Sequence, residues 1–372
     1  MKSTIPSSPP GHTSPRIDWV DIAKGICIIF VVLMHSTLGV EKAAGAEGWM
    51  HQVVTFARPF RMPDFFLISG LFLGIVIARP WRRYIDRKVV HFAYFYLLWV
   101  TIQYAFKAPG IALESGMGAA LGAYLMAFVQ PFGTLWFIYL LPIMFIVTRV
   151  LRPLPSWMVF AWAALLETLA VHTGSVIVDE FCARYVYFFA GYWLAGNIFQ
   201  IADWVRTNKA LAFSLLCFWG VVNAMLVFNP PGGALAAWVP PMIHNTGQTG
   251  GYSELPLVSL ALGLAGAGAI IAVSALLADM RGSNWLRWLG AHSIVVYLAF
   301  FLPMAVTRTV LLKTGLVPDV GTIALLTTIA GVVGPAIAYG IVQWTGYGRF
   351  LFERPQWAKI DSDVPRSAVA HG

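Results

Sequence analysis

Charge is what this sequence has least of. Asp, Glu, Lys and Arg make up 11% of its 372 residues, against about 25% in soluble globular domains. Hydrophobic residues reach 58% and mean hydropathy is +0.71. One soluble core cannot cover that much apolar surface, so an ordinary soluble domain is excluded and a bilayer is required. Cysteine is nearly absent as well. Cys27, Cys182 and Cys217 lie far apart and make neither a CxxC pair nor a disulfide framework. Cys27 and Cys217 sit in apolar runs and read as small hydrophobes. There is no GxSxG elbow and no HExxH motif, and no metal site is expected. The glycine-rich run LGLAGAGA starting at Leu262 lacks the strand–turn–helix setting of a phosphate loop and reads as a close-packing helix surface. The formal net charge of +8 does not imply nucleic-acid binding, because cytoplasmic membrane loops collect Lys and Arg.

What is present is a series of apolar segments. Ten are long enough to cross: 19–39, 60–78, 89–106, 133–148, 157–173, 184–202, 210–228, 255–278, 288–312 and 320–344. The expected fold is therefore all-α, a polytopic integral membrane protein of about ten transmembrane helices. GAALGAYLMAFV at 118–129 is short and glycine-bearing, and reads as re-entrant or interfacial. Basic residues test the count. RPWRRYIDRK at 79–88, RVLR at 149–152, Arg206 with Lys209, Arg281 with Arg287, and Arg349, Arg354 and Lys359 fall on alternate loops. The positive-inside rule then puts both termini in the cytoplasm. Residues 1–15 are Pro/Ser-rich and read as a disordered tail without a cleaved signal. Residues 16–348 form the membrane domain and 349–372 a cytoplasmic tail. The loop 229–254 becomes the longest exoplasmic segment, either a connector or part of a substrate mouth.

The first span carries two ionisable residues, Lys24 and His35, in DIAKGICIIFVVLMHS. Eleven residues at 100° each return to within ~20°, so the two share one helix face about 16 Å apart. They cannot touch one small group together, but they can line one vertical path. Asp21, a turn below Lys24, can pair with it. Lys24 reads either as a snorkelling anchor or as a functional cation. His35 reads either as a histidine bonded to a neighbouring helix or as a general base. Folding the second span back on the first puts Asp64 near the depth of His35. It then either orients the imidazole or pairs with Arg61.

Several segments carry a resemblance. Lys24-x10-His35, MPDFFLISG (62–70), the basic loop after it, GTLWFIYLL (133–141), FFAGYWL (188–194) and LGAHSIVVYL (289–298) occur in order. Together they resemble the membrane-bound acyltransferase-3 family over about residues 16–345. The resemblance implies a ten-helix inner-membrane enzyme that moves an acyl group, most often acetyl, from cytoplasmic acyl-CoA to a hydroxyl of a sugar or other acceptor. Members commonly modify surface polysaccharide, peptidoglycan or lipid-linked glycans. The family's basic residue and essential histidine carry over to Lys24 and His35. Two positions depart: Asp64 stands where an aliphatic residue is common, and Phe300 where many members have histidine. The family's arginine pair is loosely matched by Arg79-x-x-Arg82, with Arg83 and Arg87 competing.

The chemistry expected from this is direct. Arg79, Arg82, Arg83, Arg87 and Lys88 offer cations to the CoA phosphates, or simply follow the positive-inside bias. The thiol arm passes Lys24, and Trp136 packs against it or anchors at the interface. His35 deprotonates the acceptor hydroxyl, which attacks the thioester directly or after an acetyl-histidine step. Arg58 and Arg61 lie where an anionic or sugar acceptor would arrive. No bound cofactor is expected; acyl-CoA is a co-substrate. The competing classes are a non-enzymatic carrier or flippase of a glycan or amphiphile, and a structural partner of an envelope complex.

Overall fold

The structure is a computed structural model and describes residues 17–131, 133–239 and 250–360. The tail at 1–15, residues 240–249 of the 229–254 loop and residues 361–372 lie outside it. The described residues form helices and turns, with no strand among them. The reason is the solvent that the composition implies: in a bilayer every backbone N–H and C=O needs an internal partner, which a helix supplies within one segment.

α1 (Asp18–Ala44) runs unbroken for 27 residues, enough to cross a hydrocarbon core of ~30 Å. Gly45 ends it with φ 68° and donates its N–H to the Glu41 carbonyl at 2.8 Å; glycine takes this left-handed cap without a Cβ penalty. The chain returns through α2 (Met50–Ala57) and α3 (Arg61–Gly70). This returning span is bent by 46° at a break holding Pro59, which has no N–H to give. α4 (Leu73–Val76), α5 (Trp81–Ile85) and a π-helical turn (Asp86–Val90) lead into α6 (His91–Met126).

α6 contains a kink at Gly116, where φ is 85°. Beyond it the chain doubles back. The Tyr104 hydroxyl donates to the Ala120 carbonyl, Thr101 pairs with the Tyr124 hydroxyl at 2.8 Å, and Tyr96 donates to the Ala127 carbonyl. These pairs run in opposite directions along the chain, so the stretch 118–129 folds back along the first part of α6.

There follow α7 (Trp136–Val150), α8 (Ser156–Thr168), α9 (Val176–Trp193), α10 (Ala195–Thr207), α11 (Lys209–Phe228), α12 (Val258–Ala278), α13 (Asn284–Ala291), α14 (Ser293–Ala299), α15 (Phe301–Thr314) and α16 (Val320–Thr345). α14 and α15 are one bent pair, at 51°. By length and composition, five helices among the described residues can cross a membrane, or seven if each bent pair is one span. α7 and α8, with 15 and 13 residues, are shorter than the ~20 a straight crossing needs.

α1 sits in the middle, packed against α3, α12, α13 and α16. Glycine permits the closest approaches. A Cβ on Gly290 of α13 would collide with the Asp21 carbonyl of α1, and one on Gly191 of α9 with the Leu67 carbonyl of α3. In the glycine-rich run of α12, Gly266 lies under the Phe60 ring and Gly263 under the Tyr187 ring. That run is a packing surface.

The basic loops gather at one end of the bundle. Arg206 and Lys209 bind Asp279 at 2.7 and 2.9 Å, and Arg287 lies 3.6 Å from Asp18. Arg149 donates to the Arg79 carbonyl at 2.6 Å, and Arg354 binds Asp86 at 2.8 Å. The other end is held by Trp49 on Asp319 at 3.1 Å and by the buried His51–Glu41 pair at 2.9 Å.

Candidate active site

Lys24 faces inward near the basic end. Its Nζ is 3.4 Å from Asp21, the pairing expected from their spacing. Its side chain lines a cavity of about 190 Å³. The other walls are Phe65, Ile68 and Ser69 of α3, Phe92 of α6, Phe137, Ile138 and Leu141 of α7, and Ser293, Ile294 and Tyr297 of α14. Lys24 is the one charged side chain in that lining. Trp136 lies outside the lining, with its ring 6.0 Å from that of Phe66, and its neighbour Phe137 takes the cavity position.

The basic loop leads to this cavity. Lys88 turns inward, with its Nζ 4.4 Å above the Phe145 ring, and feels the fields of Arg79 and Lys24. Arg79 is half-buried. Burial first, and then the charges of Arg87 and Arg83, hold its guanidinium below the ordinary value. Arg82, Arg83 and Arg87 are exposed, and Arg82 donates to the Ile360 carbonyl at 3.1 Å. Lys88 thus lies within electrostatic reach of both Arg79 and Lys24.

His35 lies on the same helix, on the far side of an aromatic wall. Phe65 and Phe137 are 4.4 Å apart, and Phe137 and Tyr297 5.6 Å apart. Tyr297 is 6.3 Å from Phe300, which is 5.5 Å from the His35 ring. Tyr297 is fixed by donating its hydroxyl to the Thr134 carbonyl. Among the described residues His35 makes no hydrogen bond, so its nitrogens are not used up by the fold. The charged side chain that acts on it is Arg61.

The Asp64–His35 pair is not formed. Asp64 is 2% exposed, both carboxylate oxygens lack a hydrogen-bond partner among the described residues, and its field acts on Cys27. Cys27 lies eight residues before His35, about 12 Å along the helix. The break in the second span explains the offset. The straight antiparallel hairpin does not hold here, because this span bends by 46° at the break holding Pro59. The Asp64–Arg61 bridge is also absent; Arg61 reaches the Val54 carbonyl at 3.5 Å.

Beyond His35 a group of charges spans four segments. Arg58 is paired with Glu254, at the end of the 229–254 loop, and Arg184 bonds Glu180 at 3.1 Å. Glu167 accepts from Ser259 at 2.7 Å and Tyr187 at 3.2 Å. Sequence reasoning did not single out Arg184, Tyr297 or the inward turn of Lys88. Arg184 had a signal, as a cation inside an apolar segment. Tyr297 had none beyond its motif, because ring-to-ring contacts are invisible before folding.

A helical membrane protein with a cation-led cavity at one end of a central helix, and a histidine further along that helix, is the class this fold and site define. Matching the chain to known proteins makes the assignment specific: residues 17–340 match the acyltransferase domain model of the acyltransferase-3 family, and the chain belongs to that family. It is 26% identical over 212 residues to nodulation protein NolL of Sinorhizobium fredii, covering 54% of this chain and 57% of that protein. It is 25% identical over 237 residues to inner membrane protein YcfT of Escherichia coli, covering 56% of this chain and 64% of that protein. A NolL of Mesorhizobium japonicum is 25% identical over 230 residues, covering 59% and 60%. The chain thus spans less than two thirds of the length of these relatives. No solved structure matches it.

Proposed function

We propose that this protein moves an acyl group, acetyl in the first instance, from cytoplasmic acyl-CoA to a hydroxyl of a cell-envelope glycan or related acceptor. His35 is the general base. The observation that carries this reading is the arrangement on α1. Lys24 lines a cavity with Lys88 in electrostatic reach, and His35 stands further along α1 with no hydrogen bond among the described residues. The gathering of basic loops at one end supports a cytoplasmic face there, with both termini on it. About ten crossings follow if the shorter apolar helices also cross. The name of the YcfT relative supports the inner membrane.

The arginines suit an anionic nucleotide because guanidinium pairs with phosphate through two parallel bonds. The thiol arm enters the cavity past Lys24, and the aromatic wall of Phe65, Phe137 and Tyr297 parts to admit the thioester. His35 takes the proton of the acceptor hydroxyl as the oxygen attacks the thioester carbonyl. The C–S bond breaks, CoA leaves as thiolate, and His35 returns the proton to sulfur.

Inner-membrane vesicles given acetyl-CoA labelled in the acetyl group test this. The wild type transfers label to a glycan fraction and the His35→Ala variant, at equal expression, loses at least a hundredfold. Equal transfer by the variant would remove His35 as base. Absence of transfer by both would favour the carrier or flippase reading.

A further inference from the structure

Of the arginines on the side of the bundle beyond His35, two hold carboxylates among the described residues, and Arg308 donates to the Gly39 carbonyl at 3.3 Å. Arg58 is paired with Glu254 and Arg184 with Glu180. Arg61, the first residue of α3, has no carboxylate partner among the described residues. Its Nη1 reaches the Val54 carbonyl at 3.5 Å, and its Nε is buried with no partner among them. The charges acting on it are Arg58 and Arg184, which repel, and Glu180, whose bond already goes to Arg184. A half-buried cation with a buried, unpartnered Nε and no counter-ion among the described residues is costly to keep and is held for a partner that arrives.

Its position says what that partner does. Arg61 opens α3 just after the break at Pro59, and it is the charge that His35 feels. Beside it, Phe60 packs against Trp219 at 5.2 Å, and the buried Trp219 Nε1 has no partner among the described residues. Asn223, one turn on along α11, gives its amide to the Phe56 carbonyl at 2.9 Å, and its buried Oδ1 has no partner among the described residues. A charged fork, a free N–H and a free amide oxygen suit a polyhydroxylated molecule bearing an anion.

We propose that Arg61 binds an anionic group of the acceptor, a carboxylate on a sugar or the phosphate of a lipid carrier, and so holds the acceptor hydroxyl beside His35. This rests on the acyl transfer proposed above. Arg61 is a binding residue with a planar fork, which lysine does not reproduce.

The test uses inner-membrane vesicles and labelled acetyl-CoA, and asks first about the charge of the wild-type product. The labelled product is expected to bind an anion exchanger at neutral pH and to elute with salt. Retention that survives mild acid hydrolysis assigns the charge to the sugar, and retention lost with the acid-labile carrier link assigns it to phosphate. Arg61→Gln is expected to cut labelling at least tenfold, and Arg61→Lys to raise the acceptor concentration needed for half-maximal labelling about threefold or more. A neutral wild-type product overturns the proposal even if neither variant folds, and leaves acyl transfer standing. Labelling by Arg61→Gln equal to wild type overturns it too. No label transfer by the wild type would overturn the acyl-transfer reading itself, and this inference with it.

Discussion

The His35 ring lies 5.5 Å from the ring of Phe300, tilted by 34°. Phe300 is fully buried at the junction of the bent α14–α15 pair and touches Tyr297 of the cavity wall. The histidine is therefore positioned by an aromatic side chain and not by a carboxylate. Phe300→Leu should keep the fold, at a cost of about 1 kcal/mol for modest repacking. It should lower acetyl transfer about tenfold, because the imidazole loses its wall. Vesicle labelling set against the melting temperature separates the two effects. Wild-type turnover in this variant would show that Phe300 does not place His35.

Lys24 is the charged lining residue of the cavity and sits a turn from Asp21. If it receives an anionic part of the donor, Lys24→Gln should raise KM for acetyl-CoA about tenfold, the scale of one charge-assisted bond. Turnover at saturation should change by less than about twofold, because uniform binding is what is lost. Steady-state kinetics over a range of acetyl-CoA decides it. A collapse of kcat at unchanged KM would instead put Lys24 at the reacting atoms.

Much of this site was legible in the sequence, and the rest was not for identifiable reasons. The apolar run of α1 and the period of a helix were enough to put Lys24 and His35 on one element and to pair Lys24 with Asp21. Ring wall residues were not legible, since Phe137, Tyr297 and Phe300 come from α7, α14 and the α14–α15 bend, and only packing brings them together. The depth of Asp64 was misjudged because Pro59 breaks the second span by 46°, and a straight hairpin was assumed. The crossing count rested on apolar length. Apolar length does not fix where a helix ends, and α8 has 13 residues.

The tail after α16 is fastened to the basic end by hydrogen bonds from Tyr94 and Trp99 and by a buried ion pair. Asp86 holds Arg354 at 2.8 Å and accepts from the Ile360 N–H at 2.8 Å. Both side chains of the pair are nearly inaccessible, at 4% and 7%. Asp86→Ala leaves a buried guanidinium unpaired and should cost about 3–5 kcal/mol. Asp21→Asn, which removes the partly exposed partner of Lys24, should cost below about 1 kcal/mol. Thermal unfolding in detergent compares them, and trypsin should cut at Lys359 faster in Asp86→Ala. Equal melting temperatures would mean that the tail contact adds nothing.

Gly290 of α13 sets how closely that helix approaches the inner end of α1. A methyl group there would press on the Asp21 carbonyl and the Gly25 nitrogen, both backbone atoms that cannot turn aside. α13 must then move off α1 beside Lys24. Gly290→Ala should lower the melting temperature by several degrees and raise KM for acetyl-CoA as the cavity wall shifts. Gly268 of α12 is the control, since a methyl group there meets nothing within 4 Å. Gly268→Ala should be neutral or stabilising by up to about 1 kcal/mol, from helix propensity alone. If Gly290→Ala melts and turns over like the wild type while Gly268→Ala also does, the contact between α13 and α1 does not hold Lys24 in place, and the cavity must be shaped from α3, α7 and α14 alone.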